Sequence, residues 1–261
     1  MAQSTGYRDV QALIAFLLML GAIALIAWHV RSALSWILVL AVMALFVAVL
    51  GTLMTGRPLG ILIGERLTMS LSRFQMVLWT LIVVSAYFVV AIARVKQGDV
   101  ADPLTVQVDW TIWALLGIST TSLVASPVMA SGKKLKKPAD DNVVKLAGAP
   151  YGESEEKVKQ QLTGVLYGNK EIAEARFTDM FEGEELVNAS LIDVAKLQMF
   201  FFTVVIALAY CAELLHMIAA DDLSADEISL PKIHEGLLTL MGISHAGYLG
   251  SKGVTQTPSA P

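Results

Sequence analysis

The sequence predicts an all-α membrane protein, a polytopic transmembrane helical bundle of about six spans with an internal duplication of a two-helix unit. Composition is the first observation behind this. Of the 261 residues 55% are hydrophobic and 16% charged, and the mean hydropathy is +0.62, whereas soluble domains carry about 25% charged residues. The second is that apolar residues gather into runs of about 18 or more, the length at which a helix crosses a hydrocarbon core roughly 30 Å thick. A soluble chain of this size has too little interior to bury several such helices. The third is a repeated string. Arg73-Phe74-Gln75-Met76-Val77-Leu78-Trp79-Thr80 returns as Lys196-Leu197-Gln198-Met199-Phe200-Phe201-Phe202-Thr203, 123 positions later. Ala86-Tyr87 matches Ala209-Tyr210 at the same offset, and Leu116-Gly117-Ile118-Ser119 answers Met241-Gly242-Ile243-Ser244 at an offset of 125.

The first apolar run, Val10 to His29, exceeds the h-region of a signal peptide and is followed by further spans, so it reads as an uncleaved first helix. A short connection leads to the second run, Trp36 to Met54. Residues 1–55 thus form an N-terminal hairpin without a counterpart in the duplication. Thr55 to Ser72 holds Gly56, Pro58, Gly60 and Gly64, which break a span rather than extend it, and it is expected to lie along the membrane surface. It leads into the runs Phe74 to Val95 and Trp110 to Ala130, so residues 56–130 make the first two-helix repeat. Trp110 and Trp113 suit an interfacial aromatic belt. Residues 131–194 are the one sizeable polar segment, in which Glu153 to Leu166 is expected to be helical behind Ser154-Glu155-Glu156. Ser190-Leu191-Ile192-Asp193 has the form of a capping box for the next span, Ala195 to Ala219. After the acidic connection Asp221 to Glu227, Pro231 is expected in the first turn of the last span, about Lys232 to Gly250. Residues 195–252 are the second repeat, and 253–261 are expected as a disordered tail.

Basic residues near the span ends set the orientation. Arg57, Arg66 and Arg73 fall in the second connection and Lys133, Lys134, Lys136 and Lys137 in the fourth, which places both connections and both termini in the cytoplasm. The two repeats then cross the membrane in the same direction, as parallel repeats. The lone cysteine, Cys211, lies within an apolar run, so one chain has no disulfide framework.

Several residues carry candidate chemistry. Gln75 and Gln198 begin their spans just inside a basic residue that can snorkel to headgroups, and a glutamine amide in a membrane seeks a partner, either as interhelical glue or as pore lining. Gly117 and Gly242, with Ser119 and Ser244 beside them, have the small-residue spacing that lets helices approach. Gly242-x-Ser244-x-Ala246 departs from the nucleophile elbow, and His245 projects about 100° away from Ser244 on a helix, so it is no base for that serine. Glu213 and His216 share a helix face, half of the pattern used in bundle di-metal centres; the duplication supplies Val90 and Ala93 in their place, leaving an ion or proton site as the reading and no metal. Lys133, Lys134, Lys136 and Lys137 fit anionic lipid headgroups. Phe177, Asp179, Met180, Phe181, Glu184 and Glu185 mix aromatic and acidic character and suit partner docking. No phosphate-cradling loop, H-E-x-x-H or Cys-His spacing occurs, so no enzyme, no cofactor and no nucleic-acid partner is predicted.

The string Ser72-Arg73-Phe74-Gln75-Met76-Val77-Leu78-Trp79-Thr80, preceded by Gly56-Arg57-Pro58-Leu59-Gly60, resembles a family of uncharacterised bacterial polytopic inner-membrane proteins. Phe177-Thr178-Asp179-Met180-Phe181 and Leu240-Met241-Gly242-Ile243-Ser244-His245-Ala246-Gly247-Tyr248-Leu249 are similar to the same family. The resemblance covers most of residues 55–252 and implies a bacterial inner membrane; it brings no reaction, ligand or catalytic residue. Two repeats alone enclose little, so the expected function is a homo-oligomeric channel or pore-like assembly. The alternative is a membrane anchor or scaffold that docks a cytoplasmic protein partner through residues 131–194.

Overall fold

The computed structural model describes residues 2–30, 33–97, 102, 104–139, 154–219 and 230–259. Among these, Ala2–His29 (α1), Ala33–Thr55 (α2), Leu71–Gln97 (α3) and Trp110–Lys134 (α4) precede a short helix Glu155–Gln160 (α5), the strands Leu162–Thr163 (β1) and Leu166–Tyr167 (β2), and the helices Val194–Ala219 (α6) and Glu235–Gly253 (α7). Five of them, α1 to α4 and α6, contain stretches long and apolar enough to cross a membrane. The protein is therefore mostly helical and built for a bilayer.

Local chemistry sets the helix ends. Asp109 caps α4, its carboxylate accepting the Thr111 N–H at 2.9 Å, as side-chain oxygens do for the orphan donors of a first turn. Asp193 does the same for α6, accepting from Ala195 and Lys196. The cap is thus Asp193 and not the Ser190 of the expected capping box, because the helix starts only at Val194. Pro231 likewise stays outside α7. Leu230 donates its N–H to Gln107 O and Ile233 its N–H to Thr111 Oγ1, both at 3.1 Å, which holds the chain extended until Glu235. The acidic connection Asp221 to Glu227 lies outside the described residues.

Two compact units divide the chain. The first comprises Met1–Ile61, Val77–Leu116 and Val205–Glu235. Here α1 and α2 pack as the expected hairpin, with the Phe16 and Phe46 rings 6.0 Å apart. The hairpin is tied to α3 by polar contacts: the Trp36 indole donates to Ser85 Oγ at 2.9 Å, and Lys96 donates to Ala27 O while standing over the Trp28 ring. Most other side chains of α1 face outward, among them Leu13, Ile14, Leu17, Leu18 and Leu25, as expected of a lipid-facing helix. Trp110 and Trp113 are also exposed.

The second unit comprises Leu62–Met76, Gly117–Val204 and Gly236–Pro261. Its polar part departs from expectation in three ways. Glu153 to Leu166 is not one helix: α5 ends at Gln160, and β1 and β2 pair antiparallel around Gly164, whose φ of +67° suits glycine. The stretch leading into α3, expected only to lie along the membrane surface, adds contacts within the chain that were not expected: Leu62, Ile63, Met69 and Leu71 are buried, and the Arg66 and Leu67 carbonyls accept from Asn169. The expected disordered tail is docked up to Ser259, which bridges to Pro138, because the buried Glu185 carboxylate accepts the N–H groups of Gln256 and Thr257.

Gly164→Ala should lower stability by more than about 2 kcal/mol, since alanine disfavours positive φ and overpacking adds strain; its Cβ would stand 2.5 Å from Lys134 O. Gly117→Ala, with nothing within 4 Å of the added carbon, should be neutral or gain up to about 1 kcal/mol of helix propensity. Thermal unfolding of both variants in detergent checks this. Equal effects would contradict the hairpin placement.

Candidate functional site

The second unit contains a seam of buried polar side chains contributed by four helices, α3, α4, α6 and α7. It starts at Gln75, which is fully buried one turn into α3. Both hydrogens of its amide nitrogen are committed: Nε2 donates to Thr203 Oγ1 on α6 at 2.5 Å and faces His245 Nε2 on α7 at 3.2 Å. Thr203 passes its own hydrogen to Met199 O within α6. With Gln75 as donor, His245 Nε2 must be the bare acceptor nitrogen, so Nδ1 carries the ring hydrogen and donates to Ser122 Oγ on α4 at 2.5 Å. The imidazole is thereby held neutral in one tautomer.

One helical turn further along α4, Ser126 Oγ meets Tyr248 OH at 3.1 Å. Lys252, one turn beyond Tyr248 on α7, spends its three ammonium hydrogens on Ser126 Oγ, Tyr248 OH and Glu184 Oε1, at 3.0, 3.0 and 2.8 Å. Glu184 closes the row. Its carboxylate also meets Lys196 at 3.2 Å and Arg66 at 3.4 Å. Burial by itself would raise the Glu184 carboxyl, yet Arg66, Lys196 and Lys252 together hold it well below the usual carboxylate range. A cavity of about 20 Å³ lies beside this cluster, lined by Glu184, Lys196, Tyr248, Lys252 and Gln256 among others, enough for one water.

The seam is not saturated. Gln75 Oε1, Ser119 Oγ and Ser244 Oγ are buried without a hydrogen-bond partner, although buried polar atoms are nearly always paired. These are three of the residues expected to line a pore, and all lie inside one chain. Gln198, the fourth, does not share the environment of Gln75, because it faces outward from α6. The helical phase differs between the copies: α6 turns Lys196 and Met199 inward, which leaves Gln198 outside.

Other expected sites are placed differently as well. Gly117 is exposed and Gly242 meets only Ile118, at an ordinary 3.9 Å, so neither marks a close helix approach within the chain. Glu213 and His216 are exposed on α6; Glu213 lines a shallow cleft of the first unit with Asp109, Trp110 and Lys232. Of the lysines read as lipid-facing, Lys133 instead turns inward. It is buried against Glu185 at 2.6 Å and donates to Val254 O, because a buried carboxylate needs a countercharge. Lys134 pairs with Glu65, Lys136 reaches Thr255, and Lys137 is exposed.

The expected docking face is largely turned inward too. Met180 is buried, Asp179 accepts the N–H groups of Met69 and Arg176, and Phe181 packs edge-on against Phe200 with centroids 5.0 Å apart. Glu184 and Glu185 belong to the buried pairs above, which leaves Phe177 as the exposed member. Their acidic and aromatic character serves to hold residues 177–185 against the chain's own buried groups, a role that composition does not separate from partner docking. Sequence reading missed Ser122, Ser126, Tyr248, Lys196 and Lys252. A signal existed: Ser122 and Ser126 are four apart, and His245, Tyr248 and Lys252 recur every three or four residues, so each set lines one helix face.

Comparison of the chain with protein-family models, curated proteins and solved structures finds no match.

Glu184→Gln leaves three cations around a neutral amide and should cost about 3–5 kcal/mol, the usual penalty for breaking a buried pair. Acid should act in the same direction. The Glu184 and Glu185 carboxyls are both lowered in the folded protein from an ordinary 4.5, so their contribution is full above that value and is lost as pH falls through the lower folded values. Glu182, raised chiefly by burial, opposes this weakly. Unfolding followed between pH 7 and pH 3 should show a steep acid loss that Glu184→Gln flattens; parallel curves would rule the cluster out.

Proposed function

We propose that this chain is a multi-pass bacterial inner-membrane protein of channel type, with both termini cytoplasmic and α7 as a sixth span, whose copies associate while protons follow the polar seam inside each chain. The observation that carries this reading is the seam itself. In a membrane an unpaired polar group is costly, and rows of buried polar side chains in spans commonly mark proton or ion paths. The cavity of about 20 Å³ beside Glu184 suits a water molecule, not a hydrated ion, so a proton passed along hydrogen bonds is the fitting species.

Support for the duplicated two-helix unit comes from how α4 meets α7 and the extended residues before it. His245 pairs with Ser122, 123 positions away, Tyr248 with Ser126 at 122, and Ile233 with Thr111 at 122. These separations fall two or three positions short of the 125 that relates the strings on α4 and α7, so each residue meets one within a turn of its counterpart, as expected of a pseudo-twofold axis between parallel copies. The anchor reading has Phe177 as its remaining exposed docking residue and receives less support.

In vesicles loaded with a pH-sensitive dye, the reconstituted chain should collapse an imposed pH gradient several-fold faster than empty vesicles. Gln75→Leu and His245→Phe should slow this at least about tenfold, a barrier increase of roughly 1.4 kcal/mol. Gln198→Leu should leave the rate unchanged. Vesicles that stay as tight as empty ones, or equal effects of Gln75→Leu and Gln198→Leu, would sink the proposal.

A further inference from the structure

The segment that follows α7 occupies a built site. Lys133 Nζ donates to Val254 O at 2.8 Å, Lys136 Nζ to Thr255 Oγ1 at 2.9 Å, and Asn188 Nδ2 to Gln256 Oε1 at 2.8 Å. Glu185 Oε2 accepts the consecutive N–H groups of Gln256 and Thr257 at 2.9 and 2.7 Å, while its other oxygen takes Lys133 at 2.6 Å. Ala139 N–H reaches Pro258 O at 2.9 Å. Thr257 is buried by this arrangement. A carboxylate that accepts two successive backbone N–H groups grips a peptide by its main chain.

The place of this grip is informative. Gln256 lines the same small cavity as Glu184, Lys196, Tyr248 and Lys252, the groups that end the polar seam. Glu184 and Glu185 are adjacent in the chain and divide the work: one gathers the cations of the seam, the other holds the segment against them. Val254 is exposed, and the bonds that hold the segment's backbone go to groups that water or a competing peptide can satisfy.

We propose that residues 254–259 form a displaceable plug that restricts the inner end of the seam, gripped by Glu185 and Lys133. The plug rests on the conduction reading given above. It leaves the seam when another extended peptide, or solvent, takes over the Glu185 and Lys133 contacts, and the cavity beside Glu184 then opens to water.

Hydrogen exchange and proton flux on the same nanodisc and vesicle preparations test this. In the full chain the Gln256 and Thr257 amides should be protected, and Glu185→Gln should speed their exchange about tenfold, the factor expected for losing one charge-assisted bond. Flux through Glu185→Gln, and through a chain cut after Gly253, should rise about tenfold over the full chain. A synthetic peptide of residues 254–261 added to the cut chain should restore the restriction, which a merely misfolded variant would not allow. Free exchange of these amides in the full chain would overturn the plug, as would equal flux from full and cut chains with the amides protected, a result that leaves the conduction reading standing. No flux from either form would overturn both.

Discussion

One carboxylate organises the polar half of this protein. Glu184 receives Arg66 from the stretch before α3, Lys196 from the start of α6 and Lys252 from the end of α7, three segments remote in sequence. A buried charge of either sign is expensive unless it is paired and hydrogen-bonded. Each of these groups is therefore tolerable only when the others are present, and Lys196, itself buried, adds a bond to Glu182 O at 2.7 Å. Such mutual dependence makes the arrangement all-or-none: shift α6 or α7 by a residue and a charge is stranded. The seam that begins at Gln75 inherits its register from this constraint, since Lys252, Tyr248 and His245 follow one another on the same face of α7.

What could be read in the sequence followed from periodicity and length. The hairpin of α1 and α2, the long helices α3, α4 and α6, and the position of α7 all rest on apolar runs, and hydropathy detects those without knowledge of neighbours. The polar segment was less legible for a physical reason. Ser154-Glu155-Glu156 is a sound helix start, and Ser154 does accept from Lys157 N, but Gly164 a few residues later favours a turn, and the backbone of Lys133, distant in sequence, approaches it too closely for any side chain. Acidic and aromatic residues such as Asp179, Phe181 and Glu185 look the same in a sequence whether they face a partner or the chain's own helix ends. The segment 254–259 is polar and rich in small residues, a composition that matches disorder; only the remote Glu185 and Lys133 make it ordered.

The paired glutamines show how far a repeat can be trusted. Similar strings around Gln75 and Gln198 suggest equal surroundings, and the structure gives them opposite ones. Sequence similarity preserves which residues are apolar, but a small change in the rotation of α6 decides which of them points inward. Conversely, part of the seam is not repeated: Ser122 and His245 meet across α4 and α7, and neither has its own kind at the equivalent position. The chemistry of the seam thus departs from the repeated strings, and those strings alone were visible in the sequence.

The bonds of Gln75 have one more consequence. Its nitrogen faces His245 Nε2, and its oxygen, equally buried, faces no partner. If a proton arrives at Nε2, two donors stand head to head at 3.2 Å, and the amide relieves the conflict by turning over to present the idle oxygen. Thr203 then loses its incoming hydrogen bond and must swing its hydroxyl in turn. The buried, unpartnered oxygen is thus what would let one amide answer either charge state of the imidazole beside it.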